Sequence, residues 1–383
     1  MMPEKFDNRR DASHVLLSGT LVLGLALALI STAFGDSEAI TIRWKRPGSP
    51  PVCLAMSVGG SHFGTVDAKG TVQLLNRNGR LVWKQIVPDA TDIMIAGSGQ
   101  TLLVYSRLDP VHRDVYFYRG DGTRLWKHTV EGSVWSGSVS PDGRYAAVTT
   151  GDRYVYVYKP DPTRPRYRRW RLDGIGHCVT FTPDSKRIVV GTWQESGLAC
   201  YDLEGRFQWR SRHDTERQYE LRNSADGKAI LGLLPASQHD PGIELRLWDC
   251  AGKSLWRKQL DGFEAKALVS PGSQYVAISY ADFLSKEGDG IVERKVAVYE
   301  ANGRLVWEKG GLFFGPQLVA LSPKGSSVIV SDGEKSLYNI DKRGKILSKL
   351  TLSGTIRKTL SSDDGRRILL YCGDGWLYFM HVG

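Results

Sequence analysis

Cysteine is sparse in this 383-residue chain, and its five copies (Cys53, Cys178, Cys200, Cys250 and Cys372) include no C-x-x-C pair. An odd, unclustered set excludes a disulfide framework and offers no metal or redox site, which needs thiolates at short spacing. The thiols are expected to be unpaired and mostly buried in apolar strand runs as small hydrophobes. Histidine is as scattered: eight residues, at 14, 62, 112, 128, 177, 213, 239 and 381, form no ligand pair. The signatures G-x-S-x-G, the P-loop, G-x-G-x-x-G, H-E-x-x-H and the EF-hand loop are all missing, so no catalytic residue, metal ligand or cofactor contact is assigned. The acidic stretch from Asp282 to Glu293, with Glu287-Gly288-Asp289-Gly290 inside it, matches no calcium-loop spacing and reads as a solvated hairpin.

Charge is missing altogether from Val15 to Phe34. Twenty apolar residues make a helix of roughly 30 Å, the thickness of a bilayer's hydrocarbon core. Lys5, Arg9 and Arg10 precede the run, but Arg43, Lys45 and Arg46 follow it, so the basic count nearly ties. The short basic leader breaks the tie. The expectation is a cytoplasmic tail over 1–14, a transmembrane helix or signal anchor over 15–34, and an extracytoplasmic folded domain over 35–383. Ala33-Phe34-Gly35 keeps cleavage open, although the run exceeds the roughly 7–15 residues of a usual signal core, which favours an uncleaved anchor. The net charge of +10 favours anionic partners or surfaces.

What is abundant is glycine (42), tyrosine (16) and tryptophan (11), with few long helical patterns. A glycine followed four residues later by tryptophan recurs as Gly79…Trp83, Gly122…Trp126, Gly205…Trp209, Gly252…Trp256 and Gly303…Trp307. With Trp44, Trp170 and a degenerate Ser348 added, successive anchors lie 39, 43, 44, 39, 47, 51 and 41 residues apart. Such a period fits four short strands with their turns, one blade of a β-propeller. In the third repeat the strands are expected at Val134–Ser140, Tyr145–Thr150, Tyr154–Tyr158 and Arg168–Leu172. Turns such as Pro141-Asp142-Gly143, Pro183-Asp184-Ser185, Ala225-Asp226-Gly227 and Asp363-Asp364-Gly365 join first to second strands. The last repeat has only three strands, and Ile40–Trp44 is a fourth strand without a blade. Pairing the two gives an all-β, eight-bladed propeller closed by its N-terminal strand, with seven blades the alternative. The glycines are expected at φ > 0, and the tryptophans between neighbouring blades.

The G-[KR]-x-x-W ending resembles the quinoprotein-type propeller repeat with its tryptophan docking motif, and Ser140-Pro141-Asp142-Gly143 resembles the WD-like blades of TolB-type propellers. The resemblance spans about residues 40–383. It implies either a pyrroloquinoline-quinone dehydrogenase or a non-enzymatic scaffold like the lipoprotein of the outer-membrane β-barrel assembly machine. The enzymes carry a vicinal disulfide and a calcium site, and this chain has no Cys-Cys pair and no matching carboxylate set. Arg166 stands where glycine should precede Trp170, and Ser348 replaces the eighth tryptophan.

Strand parity puts the loops between second and third strands on one face with the connections between blades. Three of these loops are long: Arg107–Asp114, Pro235–Gly242 and Ala281–Arg294. Scaffolds present binding loops in this way, which selects Arg107, His112, Arg113, His239, Asp240, Asp282, Phe283, Lys286 and Arg294 as partner-binding candidates. The run Arg164–Arg171 adds a basic patch with Arg166, Arg168 and Arg169. The expected function is a non-enzymatic, membrane-anchored scaffold for envelope proteins, acidic ones included, with no nucleic acid. The alternative is a ligand receptor or quinoprotein-type dehydrogenase using the central channel.

Overall fold

The turns dictate the hairpins. The Ser140 hydroxyl donates to Asp142 Oδ1 at 2.7 Å and accepts the Tyr145 backbone N–H at 2.9 Å, while Gly143, at φ 73°, returns its N–H to the Ser140 carbonyl. The same lattice holds the turns at Ser224–Gly227 and Ser362–Gly365. Two turns put serine where a left-handed glycine is expected, Ser185 at φ 59° and Ser273 at φ 58°. Each of these serines reaches the aspartate turn of the preceding blade. The Asp142 N–H donates to Ser185 Oγ at 3.2 Å, and Ser273 Oγ donates to Asp226 Oδ1 at 2.5 Å. An inter-blade bond thus offsets the cost of φ > 0 outside glycine.

The computed structural model describes residues 39–57, 59–97, 99–159, 166–193, 197–212, 220–234, 242–283, 292–311, 317–322 and 325–383. In them, thirty-two strands, numbered β1–β32 in chain order, form eight four-stranded antiparallel sheets. The blade count is eight, not seven. Blade 3 is β10 (Val134–Val139), β11 (Ala146–Thr150), β12 (Tyr154–Lys159) and β13 (Arg166–Arg171), within two residues of the expected limits. The eighth sheet is composite. Its strands are β30 (Ile356–Ser361), β31 (Arg367–Cys372), β32 (Trp376–Val382) and then β1 (Ile40–Pro47), with Ile40 opposite Val382 and Trp44 opposite Phe379.

Second and third strands lie between neighbouring sheets and are covered on both faces. They therefore read as continuous apolar runs, such as Ala229–Leu234 (AILGLL), buried at every position. The outermost strands instead carry sixteen lysines and arginines against two acids, Asp261 and Glu308. The chain's positive surplus is thus a belt on the rim, where cations on open strand edges discourage edge-to-edge pairing.

Blade-to-blade docking follows from the glycine–tryptophan spacing. Gly79, Gly122, Gly205, Gly252 and Gly303 all have φ between 72° and 88°. A Cβ on any of them would lie 2.3–3.0 Å from the ring of Trp44, Trp83, Trp170, Trp209 or Trp256 respectively, each from the preceding blade. A bulge just before the docking residue re-aims it in every blade except the third: Leu74 faces Trp83 while Leu75 faces Leu81, with one residue left between. The side chain two residues after the tryptophan clamps three junctions. Arg46, Gln85 and Lys309 donate to the carbonyls of Gly79, Gly122 and Gly344 at 2.8, 2.7 and 2.5 Å.

All five cysteines are free, but only Cys200 and Cys372 are fully buried, and Cys250 is exposed on a turn. The expectation that most are buried thus holds for those two, with Cys53 and Cys178 half-buried. Among the described residues no helix is long and apolar enough to cross a membrane. The expected span, Val15 to Phe34, lies outside them.

Candidate functional site

First strands run down the wall of the central channel, so the channel has two mouths of different character. The short first-to-second turns frame one of them. There a cavity of about 530 Å3 touches all eight blades, with Met56, Met94, Arg222, Asn223, Leu268 and Asp363 in its wall. Deeper in, Lys266 on blade 6 donates to Thr359 Oγ1 on blade 8 at 3.2 Å, and burial together with Arg222 pulls its ammonium down to about 8. Lys266 thereby bridges two blades across the channel wall.

The other mouth carries the second-to-third loops. In blade 2 the loop after Tyr105 is tied down by its own charges. The His112 backbone and ring N–H groups hold the Asp109 carboxyl down to about 2, and His112 Nδ1 lies 2.7 Å from Asp109 Oδ2. The imidazole is raised in return, and its Nε2 faces Asp89 at 3.3 Å. Arg113 donates to the Glu131 carbonyl. His112 and Arg113 are therefore loop fasteners.

The third candidate loop is shorter than expected. β23 (Tyr275–Phe283) and β24 (Val292–Glu300) pair up to Phe283 opposite Val292, so Asp282, Phe283 and Arg294 are strand residues. Cross-strand pairing extends wherever both strands keep β-formers, and Val292–Val298 does so despite its charges. At the base of this long hairpin Lys295 donates to Asp282 at 2.6 Å, and Arg294 donates to Glu264. His239, Asp240 and Lys286 lie outside the described residues.

The basic run falls on β13, the rim of blade 3. Arg166 and Arg168 are exposed, whereas Arg169 donates to Glu131 Oε1, in the connection from blade 2, at 2.5 Å and to the Tyr156 hydroxyl of its own blade at 3.2 Å. Tyr167 stacks on His128 at 4.5 Å between centroids. These arginines stand apart from the loop face, so the two candidate sets do not form one site.

Sequence reasoning missed the group at the loop-side mouth. Arg107 Nε donates to the Trp135 carbonyl at 3.0 Å, which carries blade 2 onto the first strand of blade 3. The Trp135 ring meets His177 edge-on at 5.7 Å and Trp193 at 6.0 Å, both on blade 4. A Cβ on Gly151 would lie 2.8 Å from Trp135 Nε1, so that glycine leaves room for the indole. Burial, helped by Arg107, pulls the His177 imidazole down to about 4, and its Nδ1 has no partner among the described residues. The available signal was that Trp135 and Trp193 fall outside the 43-residue ruler.

The family described as "Outer membrane protein assembly factor BamB", a PQQ-type repeat family, has a model that matches residues 111–267, from blade 2 into blade 6 and less than half of the chain. TBC1 domain family member 31 of Xenopus tropicalis is 24% identical over 242 residues, 58% of this chain, which spans only 21% of that protein. Among solved structures, the Dos1 propeller superposes with a TM-score of 0.67 at 12% identity, over 90% of this chain and 95% of its own. The C-terminal WD40 domain of Sif2 gives 0.64 at 12%, over 91% and 100%. Kuenenia stuttgartiensis hydrazine synthase gives 0.55 at 14%, over 78% and 97%. At such identities the likeness is one of fold. The chain is an all-β, eight-bladed propeller with PQQ-like and WD40-like repeats, an architecture compatible with protein–protein interaction.

Proposed function

We propose that this protein is a non-enzymatic scaffold, held to a membrane by residues 15–34 with its propeller on the extracytoplasmic side, and that envelope proteins dock on the loop-bearing face. The β1–β32 pair is the clasp that closes the ring in this reading. The observation that carries it is the β23–β24 hairpin. The pair continues to Phe283 and Val292, past Ala281 where the pairing with β22 ends, and Lys295 on Asp282 and Arg294 on Glu264 hold its charges, so up to that point the hairpin is a preset projection. A preset projection lowers the ordering cost of binding. The family match to an assembly factor supports the same reading.

The test is capture of partners by the full anchored chain from its own membranes. Replacing residues 284–291 with a two-residue turn should remove a consistent partner, and unchanged recovery would count against this face. Carbonate washing of membranes tests the anchor separately.

A second reading, a receptor for a small ligand, is favoured by the cavity of about 530 Å3 at the opposite mouth. Its quinoprotein version would need a calcium site, and Glu287 and Asp289 of the acidic stretch lie outside the described residues. A shift in unfolding temperature with pyrroloquinoline quinone and calcium would support it.

A further inference from the structure

Four residues from three blades meet at the loop-side mouth, three of them with unused binding capacity of complementary kinds. Arg107 is exposed, and its backbone N–H is fixed on Thr91 Oγ1 at 2.9 Å while its Nε is fixed on the Trp135 carbonyl. Its two terminal nitrogens have no partner among the described residues, so a guanidinium already held in place keeps its fork for a ligand. Beside it, Trp135 and Trp193 lie 6.0 Å apart with their planes tilted by 33°, a broad apolar ledge that is half-buried. His177 backs the Trp135 ring edge-on, its own ring kept neutral by burial. Asp92, next to the threonine that anchors the Arg107 backbone, accepts the Thr91 hydroxyl at 2.7 Å, and among the described residues no carboxylate is ion-paired to Arg107.

The bland alternative is that these rings only pack the channel wall. Trp248 is enclosed at 0% exposure, and the half-buried docking tryptophans such as Trp170 each lie over a glycine of the next blade. Trp135 and Trp193 lie over no such glycine; Gly151, which is spared a side chain to seat Trp135, belongs to the same blade as that ring. A fixed cation at the edge of an aromatic platform suits a chain that carries a carboxylate next to an apolar side chain.

We propose that Arg107, Trp135 and Trp193, with His177 backing the Trp135 ring, form a binding site for a carboxylate-bearing, apolar peptide segment, with the carboxylate on Arg107 and the apolar side chain on the two indoles. This site deepens the scaffold reading and rests on it, since it names the chemistry of what docks on the loop face. The carboxylate belongs either to a glutamate or aspartate side chain or to a chain terminus.

Rhodamine-labelled tetrapeptides titrated against the full chain in detergent, read by fluorescence anisotropy, test the site. One arm is Phe-Glu-Phe-Glu with an amidated end, the second Phe-Gln-Phe-Gln with a free carboxylate, and the third Phe-Gln-Phe-Gln amidated. At least one acid-bearing peptide should bind about tenfold tighter than the neutral one, and the arm that does so names the source. Arg107→Gln should abolish that preference, and Trp193→Ala should weaken all binding about tenfold. The Arg107→Gln variant changes an exposed side chain, so an unaltered unfolding temperature certifies its fold. Equal affinity for acidic and neutral peptides, a preference that survives Arg107→Gln, or no binding at all would overturn the proposal. Loss of partner capture on replacing 284–291 while the peptides fail to bind would leave the scaffold standing without this site. The converse result would move docking from the hairpin to the ledge.

Discussion

Blades 3 and 7 are the two imperfect repeats, and they fail in opposite ways. Blade 3 keeps its tryptophan but has neither the bulge nor the glycine before it: Val155, Val157 and Lys159 face Trp170, Arg168 and Arg166 in unbroken register. Trp170 still comes to rest over Gly205 of blade 4. Blade 7 keeps Gly344 at φ 79° and the bulge before Ser348 but has no indole to aim. The difference lies in what each blade faces. Blade 4 presents a left-handed glycine turn; blade 8 presents none, because β32 and β1 are far apart in sequence and no turn joins them, their ladder ending at Gly383 N–H on the Ala39 carbonyl at 3.2 Å. With no turn to receive a tryptophan, the outer strand of blade 7 meets blade 8 through Leu350, which packs against the core that the two blades share. A glycine socket in the next blade thus seats Trp170 whatever its own blade looks like, whereas Trp126, facing blade 3 without such a glycine, rests on Tyr158 at 5.3 Å instead.

Mutations can break this comparison. The largest effect is expected for Gly205→Ala, about 3 kcal/mol of lost stability in denaturant unfolding, because a methyl at φ 87° would stand 2.8 Å from the Trp170 ring. A loss under about 1 kcal/mol would show that the socket yields. Trp170→Ala should cost about 2–3 kcal/mol, since the indole is half-buried. Ser348→Trp should destabilise by about 2 kcal/mol; a stabilised variant would mean that blade 8 has a socket after all. Gly344→Ala should cost only about 1 kcal/mol, because its methyl would meet the movable Lys309 side chain at 2.9 Å. Smallest is Ser348→Ala, a gain of about 0.5 kcal/mol, as the Ser348 hydroxyl is buried without a partner among the described residues. No gain would indicate a water held there.

Most of the architecture was legible because it repeats. The glycine–tryptophan spacing and the Asp-Gly turns act within a few residues, so each blade announces itself locally, down to the positive φ of Gly79 or Gly303. What was hidden depends on two blades at once. Ser185 and Ser273 look like faulty turns until the aspartates of the preceding blades come into reach. The Ala281–Arg294 loop proved to be strand at both of its ends, because charged residues at Asp282, Glu293 and Arg294 pair across a hairpin as well as they line a loop. Among the site candidates, Arg107 was found for its loop position, yet its indole neighbours were passed over because Trp135 and Trp193 sit off the repeat. His112 and Arg113, selected as partner contacts, are engaged within the fold.

The composite sheet also sets an order of events in time. β1 is among the first segments of the propeller to leave the ribosome, and its partner β32 is the last. Until β32 emerges, β1 has nothing to pair with, and seven finished blades wait with a raw edge exposed at either end. A pairing of such long sequence separation is slow to form and prone to mispairing. A cell making this protein therefore has reason to guard the growing chain until β32 arrives.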